Sequence, residues 1–276
     1  MQSDKISKLK IVVALEYWHD RLAVEYGEEH ILNITLYGSQ NYNINTELSD
    51  VDVKAIYIPS LREAVLNQNW LSHELHKENE HCELKDIREM CKMYQKQNLN
   101  FIETLFTPYR WDNPQYKSIN NAFKSKAEDI AHFNANYGIK STCGQAIHTI
   151  KELKNNPTDY KKLAKIIYLY LYLNKYIQGI NYQSCLYVND NETFLNFNAR
   201  SLLINLKTNN VEFLNSFNDT NNIINFLENF FKTFPINADV ETNMDTFNFL
   251  QETAYDAILS YEILNNERIQ NETLAH

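Results

Sequence analysis

The stretch LYGSQNYNINTELSDVDVKAIYIP, residues 36–59, is the most informative for the fold because it joins two short strands through a Gly-Ser turn and an Asp-x-Asp pair. Just before the turn, the β-branched run ILNITLY at residues 31–37 predicts a strand that runs into Gly38 and Ser39. After a polar loop, the alternating run VDVKAIYIP at residues 51–59 predicts a second strand, which ends at a proline. These signals indicate a small sheet with a turn and an acidic pair between its first two strands.

The side chains of this stretch indicate a particular chemistry. Asp50 and Asp52 are separated by one residue, so on an extended chain both carboxylates point to the same face. Paired carboxylates suit Mg²⁺, which proteins usually hold with one or two carboxylates plus substrate phosphates. Gly38 removes a side chain where the backbone must approach a phosphate, and the Ser39 hydroxyl can bind phosphate oxygens with neighbouring amides. Together these residues predict a nucleotide-and-metal site.

The order of these elements resembles the signature of the polymerase beta type nucleotidyltransferase superfamily, which is a strand, Gly-Ser, a spacer and Asp-x-Asp in the next strand. Tyr42 shortly after the turn, and Lys54 two positions beyond the acidic pair, are similar to the predicted nucleotidyltransferases of bacteria and phages, including those associated with RNA ligase operons. Four later segments extend the resemblance to roughly residues 10–210: DIREMCKMY, NLNFIETLFTP, DYKKLAKIIYLYLYLNKYIQG and LLINLKTNN.

The resemblance implies a metal-dependent enzyme that moves a nucleoside monophosphate from a nucleoside triphosphate to an acceptor hydroxyl and releases pyrophosphate. Asp50 and Asp52 would then hold two Mg²⁺ ions, with Mn²⁺ as a substitute. Active members usually add a third carboxylate from an adjacent strand, and Glu83 is the first candidate, with Glu80 as the alternative. The expected catalytic and metal-binding residues are therefore Asp50, Asp52 and Glu83.

The triphosphate also needs cations. By resemblance, the family's basic helix corresponds to the segment that carries Lys161 and Lys165, and a solvated helix face is the alternative for these lysines. The sequence departs from the family here, because Tyr168 stands where Arg is usual and Lys165 stands where His is common. The expected nucleotide-binding residues are Gly38, Ser39, Lys54, Lys161 and Lys165.

The motif specifies the donor chemistry and leaves the acceptor open. An RNA end is the first choice by family association, and a protein hydroxyl and a small molecule are the alternatives. A non-catalytic nucleotide-binding or interaction protein on the same fold is the third hypothesis. The preferred base, the number of nucleotides transferred, the oligomeric state and the pathway stay open as well.

The rest of the chain predicts an α+β protein with two domains. Residues 5–26 have the apolar spacing of an amphipathic helix, and residues 71–84 indicate a hairpin or a ragged pair of strands. Residues 107–114 are interpreted as a linker. The expected domains are a catalytic core with a small mixed sheet flanked by helices at residues 1–112 and an all-helical domain at 113–276 that binds nucleotide or acceptor. Helices are predicted at 85–97, 99–106, 116–134, 140–154, 158–178, 194–207, 222–233 and 244–265.

Composition narrows the class of protein. The 276 residues carry a formal net charge of −9, which argues against non-specific coating of nucleic acid. No run approaches the length of a membrane helix, and the N-terminus lacks the features of a secretory signal, so we expect a cytoplasmic protein without membrane partners. The four widely spaced cysteines are expected to be buried thiols.

Several other residues are expected to have structural roles. Glu103 matches the family stretch and is interpreted as a brace of the site or a cap of the neighbouring helix. The spacing of His73, His76 and His81 matches no zinc motif. A stripe of tyrosines is expected to pack helices rather than to stack on nucleobases: Tyr168, Tyr170, Tyr172 and Tyr176.

Overall fold

The protein is an α+β fold in which a mixed five-stranded sheet is followed by a mainly helical half. The computed structural model describes residues 2–47, 49–67, 72–216, 220–235 and 242–274. The predicted fold class is confirmed.

The strands and helices have the following bounds. The strands are β1 (Ile31–Leu36), β2 (Val53–Tyr57), β3 (Ser72–Lys77), β4 (Glu80–Asp86), β5 (Arg110–Asp112), β6 (Thr193–Phe194) and β7 (Phe197–Asn198). The helices are α1 (Gln2–Tyr26), α2 (Leu61–Val65), α3 (Ile87–Gln95), α4 (Leu99–Ile102), α5 (Lys117–Ser125), α6 (Ala127–Ala131), α7 (Ala135–Asn155), α8 (Tyr160–Ile177), α9 (Tyr182–Leu186), α10 (Ala199–Lys207), α11 (Val211–Ser216), α12 (Thr220–Thr233) and α13 (Met244–Leu274).

The order of strands brings the end of β1 and the beginnings of β2 and β4 together at one end of the sheet. The order is β3-β4-β2-β1-β5, in which β2 and β4 are parallel and the other neighbours are antiparallel. Leu36 at the end of β1 pairs with Val53 at the start of β2, and Val53 pairs with Cys82 near the start of β4. The Gly-Ser turn, the acidic pair and the beginning of β4 therefore lie side by side.

Both faces of the sheet are covered. β1 is buried along its whole length, which fits its β-branched sequence. Trp18 and Leu22 of α1 pack on one face, and Ile56 of β2 belongs to the core on the opposite face. That second core runs without interruption into α7 and α8. The sheet and the helical half are thus packed against each other, while the predicted domain boundary at residue 112 stays a prediction.

Two sequence-based expectations about the second half are corrected. The expected linker contains β5, whose residues pair with Asn33, Ile34 and Thr35 of β1 and extend the sheet. A strand of three residues is too short to produce a recognisable alternation, which explains the error. The expected all-helical half also contains the two-residue strands β6 and β7.

Other expectations agree with the structure. β3 and β4 form the predicted hairpin, although residue 71 lies outside the described residues. The helix predicted at 116–134 is divided into α5 and α6 at Lys126. All four cysteines are buried free thiols. None of the helices among the described residues is long and apolar enough to cross a membrane.

Candidate functional site

The Gly-Ser turn begins where β1 ends. Gly38 has a φ of 95°, a conformation that side chains disfavour, and a Cβ built on it would meet no atom within 4 Å. The glycine is therefore required by the backbone conformation and leaves open space beside it. The Asn41 amide donates to the Gly38 carbonyl at 2.9 Å and the Ile44 amide donates to the Ser39 carbonyl at 3.2 Å, which close the turn.

Glu103 holds this turn in place through three hydrogen bonds. Its side chain is fully buried and accepts hydrogen bonds from the Gly38 amide at 2.9 Å, the Asn41 side chain at 3.2 Å and the Tyr42 hydroxyl at 2.6 Å. Burial raises the pKa of Glu103 to about 7, although these three donors act in the opposite direction. The interpretation of Glu103 as a brace of the site agrees with these contacts.

The turn opens onto a cleft of about 650 Å³ between the sheet and the helical half. This volume is within the range of sites that bind small molecules. The sheet side contributes Gly38, Ser39, Asp50 and Asp52, and the helical side contributes Gln145, Lys161, Lys165, Lys207, Thr208 and Asn209. Six of the eight residues predicted for the site therefore line one cleft.

The acidic side of the cleft contains Asp50 and Asp52. Asp50 is exposed, and Asp52 is partly buried beside His81 at the start of β4. His81 Nδ1 lies 2.8 Å from Asp52 Oδ1, and the His81 backbone amide donates to the same oxygen at 3.2 Å. Burial raises the pKa of Asp52, and the neighbouring His81 acts against that shift. One oxygen of Asp52 is thus held by His81.

The two remaining predicted residues, Glu83 and Lys54, bind each other instead of lining the cleft. Lys54 is only 3% exposed, forms an ion pair with Glu83, and lies against the rings of Tyr37 and Phe101 at 4.0 and 4.2 Å. Glu83 also pairs with Lys85 at 2.8 Å. Burial raises the pKa of Glu83, but the two lysines outweigh it and lower the pKa overall. Lys54 is enclosed and lacks the access to solvent that binding a nucleotide requires.

The expected convergence of Asp50, Asp52 and Glu83 is not found. Within the part of the chain that the structure describes, no three His, Cys, Asp or Glu side chains are grouped to hold a metal ion. Glu80, the alternative, interacts electrostatically with the acidic pair. Burial raises the pKa of Glu80, Lys77 acts in the opposite direction, and the charges of Asp52 and Asp50 raise the pKa further. Metal binding by Asp50 and Asp52 stays a prediction.

Three lysines face the acidic pair across the cleft. Lys161 and Lys165 lie on α8, as the sequence predicted, and Lys207 is the last residue of α10. The Lys207 ammonium donates to the Ile44 carbonyl at 2.9 Å. Burial lowers the pKa of Lys207 to about 8, with a further decrease from the charge of Lys161 and an increase from Asp50. The cleft therefore has an acidic wall and a basic wall.

The floor of the cleft is aromatic. Tyr168 stacks on Tyr42 with ring centroids 4.3 Å apart and donates its hydroxyl to the Leu186 carbonyl at 3.2 Å. Tyr168 is almost fully buried, and so are Tyr172 and Tyr176. The prediction that the tyrosine stripe packs helices is confirmed for these three. Tyr168 brings no charge to the cleft, whereas Lys207 brings a positive charge from another helix.

Comparisons with known proteins do not assign this chain to a family. A scan against models of protein families gives no match for this chain, and no curated protein matches it in sequence. The resemblance to nucleotidyltransferases therefore stays a prediction that rests on the sequence.

The sequence carries no signal that places Lys207 in the cleft or His81 beside Asp52. Lys207 is a single lysine at the end of an apolar helix, and no local pattern distinguishes it from a solvated residue. His81 becomes significant only with the β2–β4 register, because pairing of Val53 with Cys82 brings the preceding residues Asp52 and His81 together. The sequence alone does not give that register.

Proposed function

We propose that the protein is a metal-dependent nucleotidyltransferase. It transfers a nucleoside monophosphate from a nucleoside triphosphate to an acceptor hydroxyl, with an RNA end as the first choice of acceptor. The observation that carries the proposal is a single cleft with the Gly38-Ser39 turn and Asp50 and Asp52 on one side and three lysines on the other. A triphosphate with its cation requires this combination of opposite charges.

The cleft residues have separate tasks in this reaction. The acceptor oxygen attacks the α-phosphorus, the bond to the β-phosphate bridging oxygen breaks, and pyrophosphate leaves while the hydroxyl proton passes to solvent. Lys161, Lys165 and Lys207 bind the negative charge of the β- and γ-phosphates and of the leaving pyrophosphate. The Ser39 hydroxyl and the open space beside Gly38 accommodate the phosphate chain at the turn.

The two carboxylates that the protein contributes are suitable ligands for Mg²⁺. Asp50 and Asp52 supply hard carboxylate oxygens at the cleft, and Mg²⁺ commonly binds through one or two carboxylates plus substrate phosphates. When bound there, the ion would neutralise phosphate charge and activate the acceptor oxygen. The binding of Glu83 by two lysines favours a site completed by the nucleotide's phosphates rather than by a third carboxylate.

The experiment is incubation with Mg²⁺ and each α-³²P-labelled nucleoside triphosphate, offered total RNA and a protein extract in turn. The wild type is compared with the double variant Asp50→Asn/Asp52→Asn, which keeps the side-chain shapes and removes both charges. Asp256→Asn is the matched control, because Asp256 is exposed on α13. We expect label in RNA with the wild type and the control, and nearly none with the double variant.

Each other outcome favours another reading. Label in protein rather than RNA would assign a protein hydroxyl as the acceptor. Nucleotide binding without transfer of any label would favour the non-catalytic nucleotide-binding protein. Equal labelling by the wild type and the double variant would contradict the proposal, since the reaction would not depend on the acidic pair.

A further inference from the structure

Tyr37, His81 and Asp52 form a hydrogen-bonded chain at the acidic wall of the cleft. The Tyr37 hydroxyl contacts His81 Nε2, and His81 Nδ1 lies 2.8 Å from Asp52 Oδ1. The rings of Tyr37 and His81 meet edge to face, with centroids 5.7 Å apart. His81 therefore makes one contact through each ring nitrogen, and both connect it to residues of the cleft.

The chemistry of the three groups gives the chain a direction. An ionised Asp52 can only accept, so the neutral His81 tautomer that satisfies both contacts accepts from the Tyr37 hydroxyl at Nε2. A neutral imidazole that accepts at Nε2 carries its proton on Nδ1, and this proton is donated to Asp52 Oδ1. Since the His81 backbone amide donates to the same oxygen at 3.2 Å, Oδ1 receives two hydrogen bonds.

We infer that Tyr37 and His81 are positioning residues for Asp52: they hold Oδ1 and leave Oδ2 for a divalent cation. The inference rests on the proposed function and adds two residues that the sequence motif does not contain. Hydrogen bonds to a ligating carboxylate fix its orientation, and loss of such a partner typically weakens metal binding about 10–100-fold. His81 is the residue of β4 that lies next to Asp52. The neighbour of the acidic pair on this strand is therefore a hydrogen-bond donor and not a third carboxylate.

The test is the affinity for Mn²⁺, measured from the electron paramagnetic resonance signal of the free ion with the full-length protein. His81→Phe keeps an aromatic ring and removes both nitrogens, and we expect it to weaken Mn²⁺ binding about 10–100-fold. His81→Asn keeps a donor near Nδ1, so its affinity is expected to lie close to that of the wild type. Tyr37→Phe removes one hydroxyl and is expected to have a smaller loss than His81→Phe.

Controls separate positioning from folding. His76→Phe is the matched variant, because His76 pairs with His81 across the β3–β4 hairpin but is exposed. Thermal unfolding checks that each variant is folded. If His81→Phe does not fold, the inference is tested with Tyr37→Phe. A structural role alone would lower stability in His81→Asn and His81→Phe alike, without the recovery of Mn²⁺ affinity in His81→Asn.

Two results would overturn the inference. The first is wild-type Mn²⁺ affinity in both His81→Phe and Tyr37→Phe, while Asp52→Asn loses it. The second is nitrogen hyperfine coupling to bound Mn²⁺ that disappears in His81→Phe, since His81 would then be a ligand itself. By contrast, Mn²⁺ binding that is unchanged in Asp52→Asn would contradict the proposed function, because the acidic pair would not be the metal site.

Discussion

Replacement of Glu103 by glutamine tests how the Gly-Ser turn is held. Glu103→Gln keeps the shape of the side chain and removes its charge. The amide oxygen can accept from the Gly38 amide and the Asn41 side chain, as the carboxylate does, and the amide nitrogen then faces Tyr42. The hydroxyl of Tyr42 can rotate to accept from it. The change therefore isolates the cost of placing a charge in this buried site.

The pKa of Glu103 gives the size and sign of the effect. Burial raises this pKa to about 7, from the usual 4.5. The folded protein therefore binds more protons than the unfolded chain between these values, and its stability falls as the pH rises through this window. The difference corresponds to roughly 3 kcal/mol, which the wild type loses between pH 4.5 and pH 7 and Glu103→Gln does not.

The assay is the free energy of unfolding from urea titrations between pH 4.5 and pH 8.5. We expect the stability of the wild type relative to Glu103→Gln to fall by up to roughly 3 kcal/mol across this range. Glu267→Gln is the control, because Glu267 is exposed on α13, and its difference from the wild type should stay flat. A pH-independent difference for Glu103→Gln would show that the folded protein does not hold this carboxyl at a raised pKa.

Two further predictions concern the helical half. Because the pKa of Lys207 is lowered to about 8, this side chain loses its charge between pH 7 and pH 9. The affinity for nucleoside triphosphates, measured by fluorescence titration, should fall severalfold over this range. The same decrease in Lys207→Arg would contradict this prediction. The hydroxyl of Tyr261 on α13 lies 3.0 Å from His30 Nε2, so Tyr261→Phe should lower the free energy of unfolding by about 1 kcal/mol. Tyr255→Phe, at an exposed position of the same helix, should change little in the same urea titration.

The parts of the structure that follow from short-range signals were predictable. Residues 36–59 contain the β-branched strand, the glycine turn and the acidic pair within one stretch, and each signal depends only on neighbours in sequence. The hairpin of β3 and β4 and the long helices α7 and α8 were found for the same reason. β5 was missed because three residues on the sheet edge have no periodicity of their own.

The differences between the expected and the observed surroundings of Lys54, Glu83 and Lys207 come from contacts between distant residues. Lys54 follows Asp52 by two residues, so the alternation of an extended chain points both side chains to the same face, but Phe101 and Glu83 enclose Lys54. Glu83 was expected at the site because it lies just before the helix that the resemblance places after this strand, but in the pairing of β4 with β2 it lies opposite Lys54. Lys207 enters the cleft only because α10 packs on α8. These contacts are set by tertiary packing, which no local pattern records.

In the proposed function, the acidic pair and the lysines of the cleft bind a nucleoside triphosphate together with a divalent cation. The most direct measurement is a crystal structure with Mn²⁺ and an α,β-imido nucleoside triphosphate, whose α–β bond resists cleavage. We expect anomalous density for Mn²⁺ at Asp50 and Asp52, with the β- and γ-phosphates against Lys161 and Lys207. Analogue bound elsewhere, or bound in the cleft with its phosphates away from Asp50 and Asp52, would contradict it.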